Sequence, residues 1–284
     1  MKNKLILIFQ YFTKTKLEKC LGLAQNTLNK LRITYSIFNI DKRSGGKRKI
    51  LAPNPELKKI QRCILDKILC NMPVHIAVMG FEKNTSIFDN ARFHENKAIV
   101  IRMDIKDFFP SIKAYKVKQY FITLGWNQSD AECLTKLCTW QSQLPQGAPT
   151  SPRLSNLVNY KLDARLAGLA KKFNATYTRY ADDLTFSFTE DKPALINPVI
   201  RMVEKILKDE DYTLHKRRKL HIRRSHQQQL VTGLVVNHHV NLPRSTRRRL
   251  RAIEHRLNTQ RKASLTPTQL AGWKAFQKGA QQSS

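Results

Sequence analysis

The sequence predicts an α+β fold, and two observations lead to it. Stretches with strand-like and helix-like apolar spacing follow one another without the regular strand–helix–strand order that produces a parallel sheet. The 284 residues are 41% hydrophobic and contain no internal repeat and no disordered linker. A large core, in one domain or two with a small appendage, is therefore expected.

The elements are assigned from this spacing and from turn residues. A helix is predicted over residues 14–32, and the Gly45-Gly46 turn opens a strand that ends at Pro53. One apolar stripe from Leu57 to Leu69 predicts a second helix. The later predicted elements are a strand over 98–103, a helix near 116–124, a rigid proline-containing loop over 144–152, a helix over about 154–162, hairpin strands over 176–180 and 184–188, a helix over 198–207, a strand over 230–236 broken by one glycine, a very basic helix over 245–262 and a short helix from Pro267.

Three aspartates follow predicted strands. Asp104 ends the first apolar strand, and Asp182 and Asp183 lie between the arms of the hairpin. If these elements share one sheet, the three carboxylates converge and repel one another unless divalent cations neutralise them. This arrangement indicates two-metal nucleotidyl transfer, with two Mg²⁺ ions roughly 3.5–4 Å apart. Ordinary turn chemistry is the alternative, because aspartate is a common turn residue.

Side-chain direction ranks the three as ligands. Successive side chains of a strand point to opposite faces, so Asp183 cannot repeat the direction of Asp182 unless the turn bends it inward. Asp104 and Asp182 are therefore expected to be the main metal ligands, and Asp183 the weaker or second-site contributor.

The chain is strongly basic. Its 51 Lys and Arg against 21 Asp and Glu give a net charge of +30. Between Lys216 and Lys262 there are fourteen basic residues and one acid, Glu254. A solvated basic face is the simplest interpretation, but so one-sided a run repels itself without an anionic partner. Nucleic acid is the expected partner; an anionic membrane is the weaker alternative, since no long amphipathic apolar face accompanies the charge.

Other classes of site and location are disfavoured. The five cysteines form no Cys-x-x-Cys pair and the eight histidines have no zinc-like grouping, so reduced thiols in a cytoplasmic protein are expected. The apolar run over residues 5–9 lacks the length and cleavage site of a signal peptide. No stretch approaches the roughly 20 apolar residues of a membrane helix.

Six motifs occur in the order of a known family, and through them nearly the whole chain resembles reverse transcriptases of the bacterial retron type. The motifs are SGGKRKILAP (44–53), NARFH (90–94), RMDIKDFFPSI (102–112), LPQGAPTSPRLSN (144–156), YADD (180–183) and VTG (231–233). The resemblance implies a right-hand polymerase fold. Its implied parts are fingers over residues 1–95 and 113–143, a palm over 96–112 and 144–240, and a short helical thumb over 241–284.

The resemblance also implies nucleotide contacts. Arg48, beside Lys47, is expected to grip the triphosphate of the incoming nucleotide, because a guanidinium binds phosphate oxygens bidentately. Phe109 is expected to exclude a 2′-hydroxyl, although a core aromatic is the alternative, and Gln146 to contact the sugar. The triphosphate cation near the end of the palm stays open between Arg218 and Lys219, and assistance from Lys42 or Arg43 is unassigned.

RNA contacts are implied at three places. Val231, Thr232 and Gly233 are expected to contact a structured RNA, although a bulged strand is the alternative. Asn90 and His94 are expected either to make one polar contact to RNA or to form a satisfied structural pair. The basic helix, with Arg247, Arg248 and Arg251, is expected to grip duplex phosphates.

The implied biology is retron DNA synthesis in the bacterial cytoplasm. The enzyme would copy part of a dedicated non-coding RNA into single-stranded DNA from dNTPs, primed by a guanosine 2′-hydroxyl of the same RNA. A separate effector protein, host ribonuclease H for template removal and a role in defence against phage are also implied. Two alternatives remain: another bacterial reverse transcriptase, such as the group II intron type, and a non-catalytic RNA-binding scaffold of the same fold.

Overall fold

A computed structural model describes residues 17–24, 26–41, 45–215 and 220–281. Helices alternate with antiparallel strands, which confirms the α+β class. The chain divides into two compact units, Met1–Ile76 with Lys106–Asp163 and Ala77–Ile105 with Ala164–Ser284.

In chain order the elements are α1 (Leu17–Leu21), α2 (Thr27–Lys30), β1 (Tyr35–Asp41), β2 (Lys47–Pro53), α3 (Pro55–Ile64) continuing as a π-helical turn (Leu65–Leu69), α4 (Ile87–Arg92), β3 (Ile99–Asp104), α5 (Phe108–Ser111), α6 (Ala114–Thr123), α7 (Gln128–Cys138), α8 (Ser151–Leu157), α9 (Tyr160–Lys172), β4 (Ala175–Tyr180), β5 (Asp183–Phe188), α10 (Pro193–Asp209), β6 (His221–Arg224), β7 (Leu230–Val231), β8 (Leu234–Val235), α11 (Arg244–Asn258) and α12 (Pro267–Gln281).

The first unit is built on α3 and on the β1–β2 pair. Asn54 caps α3, since its side chain accepts a hydrogen bond from the Leu57 amide at 2.8 Å, and Pro55 supplies the first helical residue. The guanidinium of Arg153 on α8 is buried and donates to the Leu69 carbonyl at 3.1 Å. It also bonds the carbonyls of Cys70 and Met72, so it satisfies acceptors left open where the π-helical turn ends.

The second unit is built on a four-stranded antiparallel sheet in the order β4-β5-β3-β6. Asp104 lies opposite Asp183, and Arg102 lies opposite both Thr185 on β5 and His221 on β6. Since side chains alternate along a strand, these five residues share one face of the sheet. The opposite face carries large apolar side chains of the core: Ile99, Ile101, Met103, Leu184, Phe186 and Phe188.

A hydrophobic cluster links this sheet to the C-terminal helices of the same unit. It contains Val100 from β3, Val231 and Leu234 from the β7–β8 pair, and Leu250 and Ile253 from α11. Burying an aliphatic side chain of this size contributes about 1.5–3 kcal/mol. The cluster therefore fixes the basic helix α11 to the sheet through its apolar stripe.

Three predicted elements are wrong. The helix over about 154–162 is interrupted at residues 158–159, between α8 and α9. The helix over 14–32 is two short helices among the described residues, because Gly22 (φ 68°) and Asn26 (φ 64°) adopt left-handed backbone between them. The broken strand over 230–236 is the β7–β8 hairpin. Its turn residues, Thr232 (φ 48°) and Gly233 (φ 85°), both have positive φ, as a two-residue type I′ hairpin turn requires.

Candidate active site

The three predicted catalytic aspartates lie at one end of the four-stranded sheet. Tyr180 pairs with Asp183 across the β4–β5 hairpin, which leaves Ala181 and Asp182 as its two turn residues. On the other side of β5, Asp104 pairs with Asp183. The amide after Asp104, that of Ile105, donates to the carbonyl of Asp182 at 2.9 Å. Backbone pairing alone therefore brings the three acids together.

The three carboxylates differ in their surroundings. Asp104 is buried, with 6% of its surface exposed, whereas Asp182 and Asp183 are half-buried. A guanidinium nitrogen of Arg102 lies 3.6 Å from a carboxylate oxygen of Asp183. Arg102 was not singled out from the sequence, although its place two residues before Asp104 puts it on the same face as Asp104. It lowers the local negative charge beside Asp183.

Carboxylate oxygens are the ligands that Mg²⁺ prefers, so the chemistry of this donor set fits a hard divalent cation. Within the described part of the chain, however, no three His, Cys, Asp or Glu side chains are already arranged as a metal-binding cluster. Asp104, Asp182 and Asp183 are the residues that would hold such an ion.

The segment of residues 77–80 packs against the strand and turn that carry the aspartates. The amide of Arg179 donates to the Ala77 carbonyl, and the amide of Met79 donates to the Arg179 carbonyl, both at 2.8 Å. The Arg179 side chain is fully buried, and its guanidinium donates to the Ala181 carbonyl at 3.1 Å. Ala181 itself has φ 57°, a left-handed conformation that is unusual for a residue with a Cβ.

Gly80 completes this support. A Cβ at that position would lie 2.9 Å from the backbone nitrogen of Ala181, so only glycine lets the segment approach the turn this closely. Sequence reasoning missed both Arg179 and Gly80, since their contacts join segments about 100 residues apart. The one local signal was an arginine directly before the Tyr-Ala-Asp-Asp turn, in a strand with buried neighbours.

The predicted nucleotide contacts of the first unit occur on two neighbouring segments. Lys47 and Arg48 begin β2 and are exposed. Further along β2, the Leu51 amide donates to the Gln146 carbonyl at 2.8 Å, so the loop that carries Gln146 lies against this strand. Gly147 (φ 128°) allows the contact, because a Cβ there would lie 2.8 Å from the Leu51 carbonyl oxygen.

Phe109, the predicted sugar-selecting aromatic, lies in α5 of the first unit. Its ring is half-buried and packs edge-on against the ring of Phe108, with centroids 5.5 Å apart. Phe108 is buried and belongs to the core. The remaining predicted triphosphate cations, Arg218 and Lys219, lie outside the described residues, as do Lys42 and Arg43.

Asn90 and His94 are both buried. His94 follows α4, and its ring nitrogens make 2.7 Å hydrogen bonds to the hydroxyls of Ser187 on β5 and Thr178 on β4. Burial lowers the pKa of His94 to about 3, and nearby Lys97 adds to the effect. The side-chain amide of Asn90 has no hydrogen-bond partner among the described residues. The two residues do not bond each other, and their contact with RNA stays a prediction without an exposed group to carry it.

The Val-Thr-Gly segment is divided between core and surface. Val231 is fully buried, whereas Gly233 is exposed at the tip of the hairpin. Thr232 is half-buried, and its hydroxyl donates to the Ile87 carbonyl at 3.2 Å. A contact with RNA can therefore involve the turn but not the Val231 side chain.

On α11, Arg248 and Arg251 are exposed, and Arg247 is half-buried. Leu250 and Ile253 occupy its buried stripe. The helix thus carries guanidinium groups on its solvent-exposed side, opposite the buried stripe. Among the described residues, no helix is long and apolar enough to span a bilayer.

Comparisons with known proteins agree with this geometry. A solved structure of telomerase from Candida albicans, in complex with a fragment of telomeric RNA, has the same fold, with a TM-score of 0.54 and 10% sequence identity. The match covers 83% of this chain and 52% of that one. It supports the polymerase fold and nothing finer.

Curated relatives are considerably more similar in sequence. The chain is 37% identical over 253 residues to the retron Mx162 reverse transcriptase of Myxococcus xanthus, covering 78% of this chain and 52% of the relative. It is 35% identical over 245 residues to the retron Ec86 reverse transcriptase of Escherichia coli, covering 85% and 75%. The chain therefore spans about half the length of the Myxococcus relative.

The family model described as "Reverse transcriptase (RNA-dependent DNA polymerase)" matches residues 40–234, which include Asp104, the aspartate turn and the loop that carries Gln146. Taken together with the identities above, this match shows that the chain belongs to the reverse transcriptase family and, within it, to the retron reverse transcriptases.

Proposed function

We propose that the chain is an RNA-directed DNA polymerase of a retron. The observation that carries the proposal is the meeting of Asp104, Asp182 and Asp183 at one end of a sheet, in a chain of this family. The polymerase would copy part of a structured non-coding RNA into single-stranded DNA and would use a guanosine 2′-hydroxyl of that RNA as primer.

The proposed reaction needs no protein nucleophile. A hydroxyl oxygen of the primer forms a bond to the α-phosphorus of the incoming dNTP, the bond to the bridging oxygen breaks, and pyrophosphate leaves. The protein contributes position and electrostatics. When bound by Asp104, Asp182 and, more weakly, Asp183, two Mg²⁺ ions supply activation of the attacking hydroxyl and neutralisation of the leaving pyrophosphate.

Other residues take roles in binding. Exposed Arg48 and Lys47 would bind the triphosphate, and Gln146 would contact the sugar, in line with the contact of its loop with β2. The assignment of Arg218 or Lys219 to the triphosphate is part of the same proposal. We likewise propose fingers over residues 1–95 and 113–143, a palm over 96–112 and 144–240, and a thumb over 241–284.

Phe109 is proposed as the residue that selects deoxynucleotides. Its half-buried ring would leave a 2′-hydroxyl without a hydrogen-bond partner and without space. Phe109→Ala should raise ribonucleotide incorporation in a single-nucleotide extension assay, whereas the buried neighbour substitution Phe108→Leu should change stability rather than sugar choice. Unchanged selection in Phe109→Ala would move this role to another residue.

RNA binding is proposed for the exposed side of α11, including Arg248 and Arg251, and for the turn at Thr232 and Gly233. The proposed setting is the bacterial cytoplasm, with a separate effector protein, host ribonuclease H and a function in phage defence. These partners follow from the family, and each needs its own test.

The central test is expression of the chain with its flanking DNA, beside an Asp182→Asn, Asp183→Asn double variant. A discrete single-stranded DNA that carries an RNase-sensitive branch, and is absent from the variant, is the expected product. Activity on an externally primed RNA without that product would retain the polymerase and remove the retron-specific priming. Equal nucleic acid and equal cellular phenotype in both strains would favour a non-catalytic scaffold.

A further inference from the structure

A cavity of about 160 Å³ lies in the second unit, beside the aspartate site but with a different lining. Val100 and Arg102 of β3, and His221 and Arg223 of β6, form one wall. Gln228 and Leu230, from the segment that leads into β7, complete the lining. Two guanidiniums, one imidazole and one amide therefore face a small space, and none of the described lining residues carries a carboxylate.

Strand pairing explains why these side chains meet. Arg102 is opposite His221 in the β3–β6 ladder, and Val100 is opposite Arg223. Because alternate residues of paired strands share a face, the three nitrogen-bearing side chains point to the same side of the sheet as Asp104 and Asp183. Arg102 and Arg223 are diagonal neighbours across this ladder, and an anion between the two guanidiniums would offset their mutual repulsion.

The hydrogen-bond donors of Arg102 are incompletely used. One terminal nitrogen lies 3.6 Å from Asp183, which is a long ion pair. Its Nε is buried and has no acceptor among the described residues. A buried donor without an acceptor costs about 1–3 kcal/mol, so the site favours a ligand that supplies oxygen atoms.

The shape and chemistry of the cavity select one ligand class. A metal cation is disfavoured by the positive lining. An apolar molecule would leave the buried Arg102 Nε without an acceptor. A phosphate group is small enough for 160 Å³ and offers several oxygens, and guanidinium groups bind phosphate through paired hydrogen bonds.

We propose that this cavity binds a phosphate oxyanion through Arg102, Arg223, His221 and Gln228. The phosphate has two possible sources near a polymerase centre: a phosphodiester of the bound nucleic-acid strand, or free pyrophosphate. The identification of these sources rests on the proposed function, whereas the anion site itself rests on the lining of the cavity.

The test uses substitutions that leave the aspartates untouched. Arg223→Gln and His221→Gln each remove one lining group, and Arg201→Gln is the control, because Arg201 is exposed on α10 and does not line the cavity. Binding of a fluorescent RNA–DNA hybrid duplex is measured between 50 and 300 mM salt with EDTA present, and displacement by inorganic pyrophosphate is measured in parallel.

If the phosphate belongs to a strand, Arg223→Gln should weaken duplex binding by about 3–10-fold and reduce the salt slope by about one, and Arg201→Gln should change binding less than about twofold. If the source is pyrophosphate, duplex binding should be unchanged and the pyrophosphate affinity should fall instead. Either result supports the oxyanion site. Indistinguishable behaviour of both lining variants and the control, in both arms, would overturn it.

Primer extension by the unsubstituted protein separates this inference from the proposed function. An inactive protein in which Arg223→Gln still changes anion binding would retain the cavity assignment and remove the polymerase. An active protein in which the lining variants bind like the control would retain the polymerase and remove the cavity assignment. Melting temperatures of all variants confirm that each one is folded.

Discussion

The aspartate end of the sheet and the β1–β2 pair are built in opposite ways. At the aspartate end, backbone hydrogen bonds connect the turn to Ile105, and buried Arg179 bonds the turn carbonyl of Ala181. In the β1–β2 pair, Lys47 and Arg48 are exposed, and so are large apolar side chains of β1: Ile37 (54%), Phe38 (47%) and Ile40 (50%).

This difference separates two needs of a polymerase. Under the proposed function, reacting groups must be held within a fraction of an ångström, and hydrogen-bonded backbone with buried support can achieve this. Under the same proposed function, the groups that receive each new nucleotide must release it again, and exposed side chains on a two-stranded ribbon can move with little cost. Substitutions in the two regions should therefore act on different quantities.

The largest effect is expected at Asp104. Asp104→Asn should lower polymerisation by about 10³-fold or more, because it removes a charge aimed at the reacting centre, while leaving the fold intact. The matched control is Asp191→Asn, an exposed carboxylate that pairs with Arg224 on the surface. Primer extension and melting temperature distinguish the two variants. Comparable activity in both variants would contradict a catalytic role for Asp104.

A smaller effect is expected at Arg48. Arg48→Ala should lower kcat/KM for the dNTP by about 10–100-fold, as expected for loss of a charged hydrogen bond to phosphate, with no change in melting temperature. Lys49→Ala, the next residue on the same exposed strand end, should have little effect. Steady-state kinetics with varied dNTP provide the measurement. An equal loss in both variants would point to general charge rather than to a specific contact.

A pair of glycine substitutions tests the bracing of the turn. Gly80→Ala would place a Cβ 2.9 Å from the Ala181 nitrogen, and it should cost about 1–3 kcal/mol of unfolding free energy as well as lower activity. Gly168→Ala, in α9 with open space around its Cβ, should be neutral or stabilise by up to about 1 kcal/mol. Urea denaturation compares the two. A stable, active Gly80→Ala protein would show that the turn is not braced by close packing.

The last prediction concerns the pH dependence of stability, which depends on His94. His94 is neutral in the folded protein, with its pKa lowered from 6.5 to about 3, whereas the unfolded chain binds its proton below about 6.5. Stability from this residue is therefore complete above pH 6.5 and is lost as pH falls toward 3, at up to about 1.4 kcal/mol per pH unit.

Chemical denaturation at pH 7.5, 6.5, 5.5 and 4.5 measures this dependence. His94→Gln should have a shallower loss of stability than the unsubstituted protein between pH 6.5 and 4.5. Exposed His226→Gln should retain the original slope. If His94→Gln and the unsubstituted protein had parallel curves, the histidine would not be held neutral in the interior.

The sequence correctly predicted those strands that are determined by local apolar patterns. The apolar run before Asp104 and the alternation around Asp182 and Asp183 gave strands close to those observed. The sequence did not predict features that depend on contacts between distant segments or on unusual backbone conformations. Residues 77–79 form backbone hydrogen bonds with the strand that carries buried Arg179, and this distant pairing has no local signal in the sequence. Thr232 has positive φ in its hairpin turn, although threonine is not a residue type that predicts this conformation.

Helix α7 (Gln128–Cys138) and strand β1 were not predicted from the sequence, for a similar reason. The composition of α7 is mixed, and β1 has no strand pattern of its own because it forms by pairing with β2. The role of Arg102 follows from the pairing of β3 with β5, and the role of Gly80 follows from its close approach to Ala181. Neither is visible in the sequence alone. The predicted nucleotide and RNA contacts stay predictions, because they concern ligands rather than the fold.

The order of the central strands has a consequence for synthesis of the protein. Asp104 at the end of β3 pairs with Asp183, which emerges 79 residues later, and β6 follows later still. At translation speeds of about 5–20 residues per second, Asp104 waits about 4–16 s for its first sheet partner. A nascent chain stalled before β5 should thus be inert, and long-range pairing rather than helix formation should limit the refolding rate of the second unit.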